Sequence, residues 1–376
     1  MRLIILIITV FLLVSCKKDD FIKSYTDTEG FKVLNIHDNN LVSKFNMSEF
    51  IDKIEYIQLE TKPESTIGSV TKLYIDSNYI YVLDWKISKK LFIFQKNGKF
   101  LKTLSRQGKG PGEYSTITDF KVLKDNKLLL YDYSGMKLMY FDNLQYSHSE
   151  KIDFYNKSVV KIGSLCFFNP ERGKYSNIIN ENKNHDLLIS DSNGKVIRKY
   201  LPYNEKSDVL YRLRYPFREY MDSLTYVDAL NSRVYRIKGT TLFPKYFLDF
   251  GKYQFPYEKT ISNDDFNENF TKYGHVLDDF YENEKYIFFS VIYDDSTATF
   301  CLLNKENNIL KLSKKLVNDI DNLHSLNLFS NYNNLIFGTI SAEDIIRTKS
   351  FKKEKYGLGN VNDLDNPIIA VYSFKS

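Results

Sequence analysis

The stretch Tyr211 to Tyr220, YRLRYPFREY, sets three arginines among four aromatic residues. Arg212, Arg214 and Arg218 carry planar guanidinium forks that match a carboxylate or sulfate two bonds at a time. Tyr211, Tyr215, Phe217 and Tyr220 offer ring faces on which a sugar could stack. Together these types suit an acidic or neutral saccharide. The plainer alternative is an amphipathic strand whose Arg stems cover its own aromatic rings.

A second stretch is glycine-rich. Arg106 to Tyr114 reads RQGKGPGEY. Backbone N–H groups of such a loop could cradle an anion. A phosphate loop, however, needs Gly-Lys-Ser/Thr opening a helix. Here Glu113 and Tyr114 lead instead into the apolar run ITDF. The structural alternative is a crossover between strands in which Glu113 pairs nearby, with Arg106 the expected partner. Asp84-Trp85 and Asp132-Tyr133 close two similar runs, YVLD and LLYD. Their aspartates suit turn capping. Trp85, the one tryptophan, could stack on a ligand at an exposed mouth or pack inside.

Other chemistry finds little footing. The five histidines, 37, 148, 185, 275 and 324, form no HxH or HExxH pair, and there is no CxxC. Asp191-Ser192-Asn193-Gly194 lacks the further oxygens of a calcium loop. There is no GxSxG elbow. No metal and no cofactor is expected, although a ring of strands can gather ligands from distant segments. His275 and His324 stand near expected strand starts and are the ones to check. The net charge of +5 is balanced between 52 basic and 47 acidic residues, which argues against nucleic acid. Cys166 and Cys301 lie in apolar runs far apart in the repeat and read as buried free thiols rather than a disulfide.

The elements that must hold these residues repeat. Val70, Leu73 and Ile75 return 47 positions later as Ile117, Phe120 and Val122, and Phe94 returns as Phe141. Turn anchors fall near residues 98, 145, 194, 239 and 307, and the wide last gap implies an insertion. Short apolar runs rich in Tyr, Ile, Phe and Val favour strands over helices. A unit of about 40–50 residues with four strands is a propeller blade. The early run IEYIQLE and the final run IIAVYSF each lack a partner turn, so the chain ends should share one composite blade and close the ring. The fold class is therefore all-β, a six-bladed β-propeller with four-stranded blades, over residues 49–376. The basic cluster Arg347, Lys349, Lys352, Lys353 and Lys355 reads as a solvated loop in the last blade.

The run RQGKGPGEY followed by ITDF resembles a family of six-bladed β-propeller lipoproteins of Bacteroidetes, similar in shape to NHL-repeat propellers. The resemblance covers about Phe50 to the C-terminus. It implies a fold and a compartment, and no activity.

The N-terminus supports that compartment. Residues 1–15 read as a signal peptide, with Arg2 and then an apolar run from Leu3 to Val14 that is too short to span a bilayer as a helix. Leu13-Val14-Ser15-Cys16 resembles a lipobox, with Cys16 as the lipid attachment residue. Lys17-Lys18-Asp19-Asp20 resembles the surface-export signals of Bacteroidetes lipoproteins, so the outer membrane is expected, at the cell surface ahead of the periplasmic face. Residues 16–48 read as a lipidated tether plus a first strand. The favoured function is a non-catalytic binding module for a glycan, peptide or partner protein, held to the membrane by its lipid. The alternatives are a propeller hydrolase or lyase with an axial site, and a protein-docking scaffold.

Overall fold

The computed structural model describes residues 28–36, 40–171, 184–202, 209–220, 223–257, 259–294, 297–323, 327–332 and 334–376. Three short strands come first: β1 (Lys32–Asn35), β2 (Phe45–Asn46) and β3 (Ile51–Ile57). Blade 1 is β4 (Lys72–Ile75), β5 (Tyr79–Asp84), β6 (Lys90–Gln95) and β7 (Phe100–Leu104). Blade 2 is β8 (Ile117–Val122), β9 (Lys127–Asp132), β10 (Lys137–Asp142) and β11 (Gln145–Lys151). Blade 3 is β12 (Asn156–Ile162), β13 (Leu165–Pro170), β14 (His185–Ser190) and β15 (Val196–Pro202). Blade 4 is β16 (Phe217–Tyr220), β17 (Ser223–Asp228), β18 (Arg233–Lys238) and β19 (Thr241–Asp249). Blade 5 is β20 (His275–Glu282), β21 (Tyr286–Ile292), β22 (Thr299–Asn304) and β23 (Ile309–Ser313). After the two-residue β24 (Leu316–Val317), blade 6 takes β25 (Asn327–Tyr332), β26 (Leu335–Ile340) and β27 (Ile368–Phe374), and then β3 from the other end of the chain.

That last pairing closes the ring. β27 and β3 run antiparallel, with Ile369 opposite Ile57 and Phe374 opposite Ile51. The composite blade expected from the unpaired end runs is present, so no blade edge is left open at the junction.

Side-chain alternation welds the blades together. Leu128 and Leu130 of β9 pack toward blade 1, with Leu83, Leu91 and Ile93. Leu129 and Tyr131 of the same strand pack toward blade 3, with Val159, Cys166 and Phe168. The pattern repeats around the ring, ending where Phe337 and Ile369 of blade 6 meet Leu73, Ile80 and Val82 of blade 1. Middle strands are buried on both faces and read as unbroken apolar runs. The outermost strand of blade 2, QYSHSEK, is mostly exposed and reads as polar.

Turn chemistry matches the repeat. Gly98 has φ +86°, and a Cβ there would stand 2.0 Å from the Gln58 carbonyl oxygen, so the β6–β7 turn requires glycine. Asp84 and Asp132 are fully buried caps. Asp132 accepts N–H bonds from Ser115, Thr116 and Gly135 at 3.1, 2.9 and 3.2 Å. Asp84 accepts from Gly68, Ser69 and Ile87 at 3.0, 3.1 and 2.9 Å. Each carboxylate ties the segment leading into its blade to the second strand and the turn that follows it.

Part of the stretch read as a tether is built into the ring. β1 adds a fifth, parallel strand to blade 4 beside β19. Leu41 bridges to Leu312 of blade 5, and β2 pairs with β24. Leu34, Ile36, Phe45 and Met47 are buried, so residues 32–36 and 40–47 strap the rim of blades 4, 5 and 6.

Two insertions leave the repeat. Between β19 and β20 lies α1 (Asn263–Glu268), capped by Ser262, which accepts from Asp265 N at 3.0 Å. Between β26 and β27 lies α2 (Ala342–Arg347), capped by Ser341 in the same way. The second insertion corrects the expectation of a plain solvated loop for the basic cluster. Arg347 pairs with Glu343, and Phe351 and Tyr356 stack on each other at 5.1 Å while both meet Tyr56 edge-on. The aromatic residues between the lysines anchor it. Cys166 and Cys301 are buried free thiols in blades 3 and 5, as read from their positions.

Candidate functional site

The six inner strands, β4, β8, β12, β16, β20 and β25, surround the ring axis, and the segment Tyr211–Tyr220 enters it. From blade 4 it reaches every other blade. The Tyr211 hydroxyl donates to the Val276 carbonyl of blade 5 at 2.6 Å. Arg212 pairs with Asp186 and donates to the Pro170 carbonyl, both of blade 3. The Tyr215 hydroxyl donates across the axis to the Thr71 carbonyl at the head of blade 1, at 3.0 Å. Arg218 donates from Nε to the Phe280 carbonyl of blade 5 at 3.1 Å and lies over the Tyr281 ring. Glu219 pairs with Lys121 of blade 2, and its own carbonyl accepts from Asn331 Nδ2 of blade 6 at 3.0 Å.

The candidate ligand-binding arginines thus separate into different roles. Arg212 and Arg218 spend donors on blades 3 and 5, and Arg218 is buried. Arg214 is half-buried. Tyr215 serves as a crossbar, its ring beneath the Lys72 ammonium at 5.0 Å. Trp85 is half-buried against the core between blades 1 and 2. Glu113 does not pair with Arg106. Its carboxylate folds back on its own loop and accepts from Gly110 N at 2.8 Å. A Cβ on Gly108 would stand 1.9 Å from that carboxylate, so the glycines make room for an internal anion. Arg106 is exposed, and its carbonyl accepts from Tyr114 N. Cys16 and His324 lie outside the described residues.

What the structure gathers instead is a small funnel on the axis, a cavity of about 60 Å³ that opens to solvent. Lys72, Tyr74, Lys121, Ser158, Tyr215, Glu219, Asn331 and Tyr332 line it, with Phe120, Phe217 and Phe329 behind them. The Tyr215–Thr71 crossbar lies where the inner strands begin. Tyr74 and Tyr332 lie where they end, their rings edge to face at 6.1 Å, and Tyr332 is 45% exposed. The funnel therefore runs from the crossbar at one end of the inner strands to the tyrosine pair at the other.

Two ion pairs set its charge. Lys72 is paired with the fully buried Asp119 and also donates to the Phe120 carbonyl at 2.8 Å. Asp119 in turn accepts from Val159 N of blade 3 at 2.9 Å, so this pair is a weld between blades 1, 2 and 3. The second pair, Lys121–Glu219, lies nearer the mouth, and Lys121 sits over the Tyr74 ring at 5.7 Å. Burial and the nearby Glu219 carboxylate push the Tyr74 hydroxyl up, so it stays protonated and can donate. Beside the axis on β20, Asp279 is pushed up to about 6 by its burial, while bonds from Ser290 pull the other way.

These lining residues escaped the reading of local motifs. One signal was present. Lys72 and Asp119 occupy the same place in the repeat, as do Tyr74 and Lys121. Polar residues alternating with core residues on an inner strand mark positions that face the axis.

His275 is fully buried at the start of β20, clear of the funnel lining. Its Nδ1 bonds the Tyr273 carbonyl at 2.7 Å, and its ring is caged by Tyr211 and Phe270 at 4.7 and 4.3 Å. Among the described residues no three His, Cys, Asp or Glu side chains converge as a metal site.

Over residues 31–373 the sequence matches a family described as a domain of unknown function, DUF4934. No curated protein matches it. Among solved structures it is similar to a Bacteroides fragilis protein assigned to export, at 16% identity and TM-score 0.72, covering 92% of this chain and 100% of that one. It is also similar to a DUF4221 family member from Bacteroides vulgatus, at 10% identity and TM-score 0.50, covering 86% and 97%. A virginiamycin B lyase from Staphylococcus aureus, at 10% identity, TM-score 0.45 and coverage of 85% and 99%, is too distant to inform chemistry. At such identities the likeness is one of fold. The resemblance carried by RQGKGPGEY and ITDF holds: the chain belongs to the DUF4934 family and is a six-bladed propeller of the kind found in Bacteroides.

Proposed function

We propose that this member of the DUF4934 family is an exported, non-catalytic binding module whose axial funnel receives the end of a saccharide. The observation that carries the reading is the shape and lining of that funnel. It is barred at one end by Tyr215 and is bordered at the other by the Tyr74–Tyr332 ring pair, of which Tyr332 is exposed. Aromatic faces with a few fixed polar groups on a rigid frame are what a sugar site needs. The strands hold the frame, and the welded pair Lys72–Asp119 keeps it from deforming.

Export is supported by the apolar leader ending at Cys16 and by the exported protein of similar fold. The same leader supports lipidation at Cys16 and an outer-membrane address at the cell surface. Labelled fatty acid should enter the wild-type protein and not Cys16→Ser. Protease applied to intact cells should remove the propeller, and protection of it would place the protein on the periplasmic face.

The binding reading is tested by calorimetry on protein lacking residues 1–20, with neutral and acidic oligosaccharides and short peptides. Saccharide binding that weakens at least tenfold in Tyr332→Ala, about 1.4 kcal/mol, supports it. Absence of saccharide binding would overturn it. Chemical conversion of a bound ligand would instead make the protein an enzyme.

A further inference from the structure

The pair Lys121–Glu219 has an asymmetry that bears on what the funnel accepts. The Lys121 side chain is only 13% exposed, and its ammonium lies over the Tyr74 ring. The Glu219 side chain is 38% exposed, and Lys121 is the one partner its carboxylate has among the described residues. The backbone beneath Glu219 is fixed, because its carbonyl accepts from Asn331 and its strand pairs with β17. The carboxylate can therefore swing into water while its main chain stays in place. Lys121 cannot follow it. A lysine so buried requires a counter-charge, since removing one partner of a buried pair leaves an uncompensated ion. Deeper in the funnel, Lys72 is already neutralised by Asp119.

We propose that Glu219 is a built-in stand-in for the carboxylate of an acidic saccharide, and that a uronic acid ligand binds by taking over Lys121. This deepens the saccharide reading and rests on it. The exchange leaves the number of buried charges unchanged, with one carboxylate replaced by another. The sugar ring then lies against the exposed Tyr332, and Asn331 stands close enough to Glu219 to mark the edge of the site. A neutral sugar can use the tyrosines but does not displace Glu219. An acidic one must compete with it, so Glu219 sets a threshold that favours ligands presenting both a ring face and a carboxylate.

The test uses a digalacturonide, its methyl ester and a peptide with a free C-terminal carboxylate, measured by calorimetry on wild-type protein and on Glu219→Gln and Lys121→Met. Removing the competing charge in Glu219→Gln should tighten digalacturonide binding about tenfold and leave the ester unchanged. Lys121→Met should abolish the preference for acid over ester; its thermal unfolding, and binding of the ester at the tyrosines, report that it is folded. Equal binding of acid and ester by the wild type, or no gain in Glu219→Gln, overturns the exchange while the saccharide reading survives. Binding of the peptide alone overturns both. Failure of every saccharide with wild type and Glu219→Gln also overturns both.

Discussion

Replacing His275 by Gln should remove a specific part of the protein's acid sensitivity. His275 is fully buried, and burial lowers its pKa from 6.5 to about 4, with the Tyr273 carbonyl pulling slightly the other way. Its Nε2 has no partner among the described residues, and the rings around it offer no charge to balance an imidazolium. The unfolded chain carries an ordinary histidine. Between pH 6.5 and 4 the unfolded state thus binds more protons, and stability falls as the pH falls. The contribution is whole above 6.5, declines through that window and is gone below 4. At pH 4.5 the linkage amounts to about 2.5 kcal/mol, from 1.36 kcal/mol for each unit. The assay is urea unfolding of wild type and His275→Gln at pH 7.5 and 4.5. Carboxylates elsewhere contribute equally to both proteins, so the difference between them isolates His275. The wild type should lose about 2.5 kcal/mol more than the variant over that interval. Equal losses would mean that His275 titrates normally in the folded protein and that its cage is open to water.

Other substitutions follow from the same geometry. Asp132→Ala removes the buried carboxylate that accepts from three N–H donors and should cost about 3 kcal/mol, at about 1 kcal/mol for each bond, seen as a lower urea midpoint with an unchanged slope. Arg212→Ala leaves Asp186 buried without that partner and should cost about 3–5 kcal/mol in thermal or urea unfolding, with saccharide binding retained once folded. Cys166 and Cys301 should react with a thiol reagent only after denaturation, and intact-mass analysis should show no bridge between them.

The strands, turns and caps were legible because they are local and periodic. Val70, Leu73 and Ile75 recur at a fixed interval, and Asp84 and Asp132 recur with them because each blade needs the same cap. Even the closing strand β3 could be read, since an apolar run without a partner turn must pair elsewhere. The funnel was not legible in that way. Lys121 meets Glu219 across 98 positions and Tyr215 meets Thr71 across 144, contacts that exist only once the ring closes. YRLRYPFREY looked like a ligand grip because its residue types suit one. Those same types also suit the crowded axis of a six-bladed ring, where arginine forks and tyrosine hydroxyls can bond carbonyls of several blades at once. GKGPGEY likewise has the glycines of an anion cradle, and its anion is Glu113. Of the strap only a first strand is legible, because its apolar residues are too few and too spaced to show a period.

The most direct measurement is a crystal structure of the protein soaked with a saccharide that calorimetry shows to bind. The ligand should lie against the exposed ring of Tyr332, stopping short of an intact Tyr215–Thr71 crossbar, with Glu219 turned outward when the ligand is acidic. A saccharide bound only on the outer rim, or passing the crossbar through the ring, would contradict it.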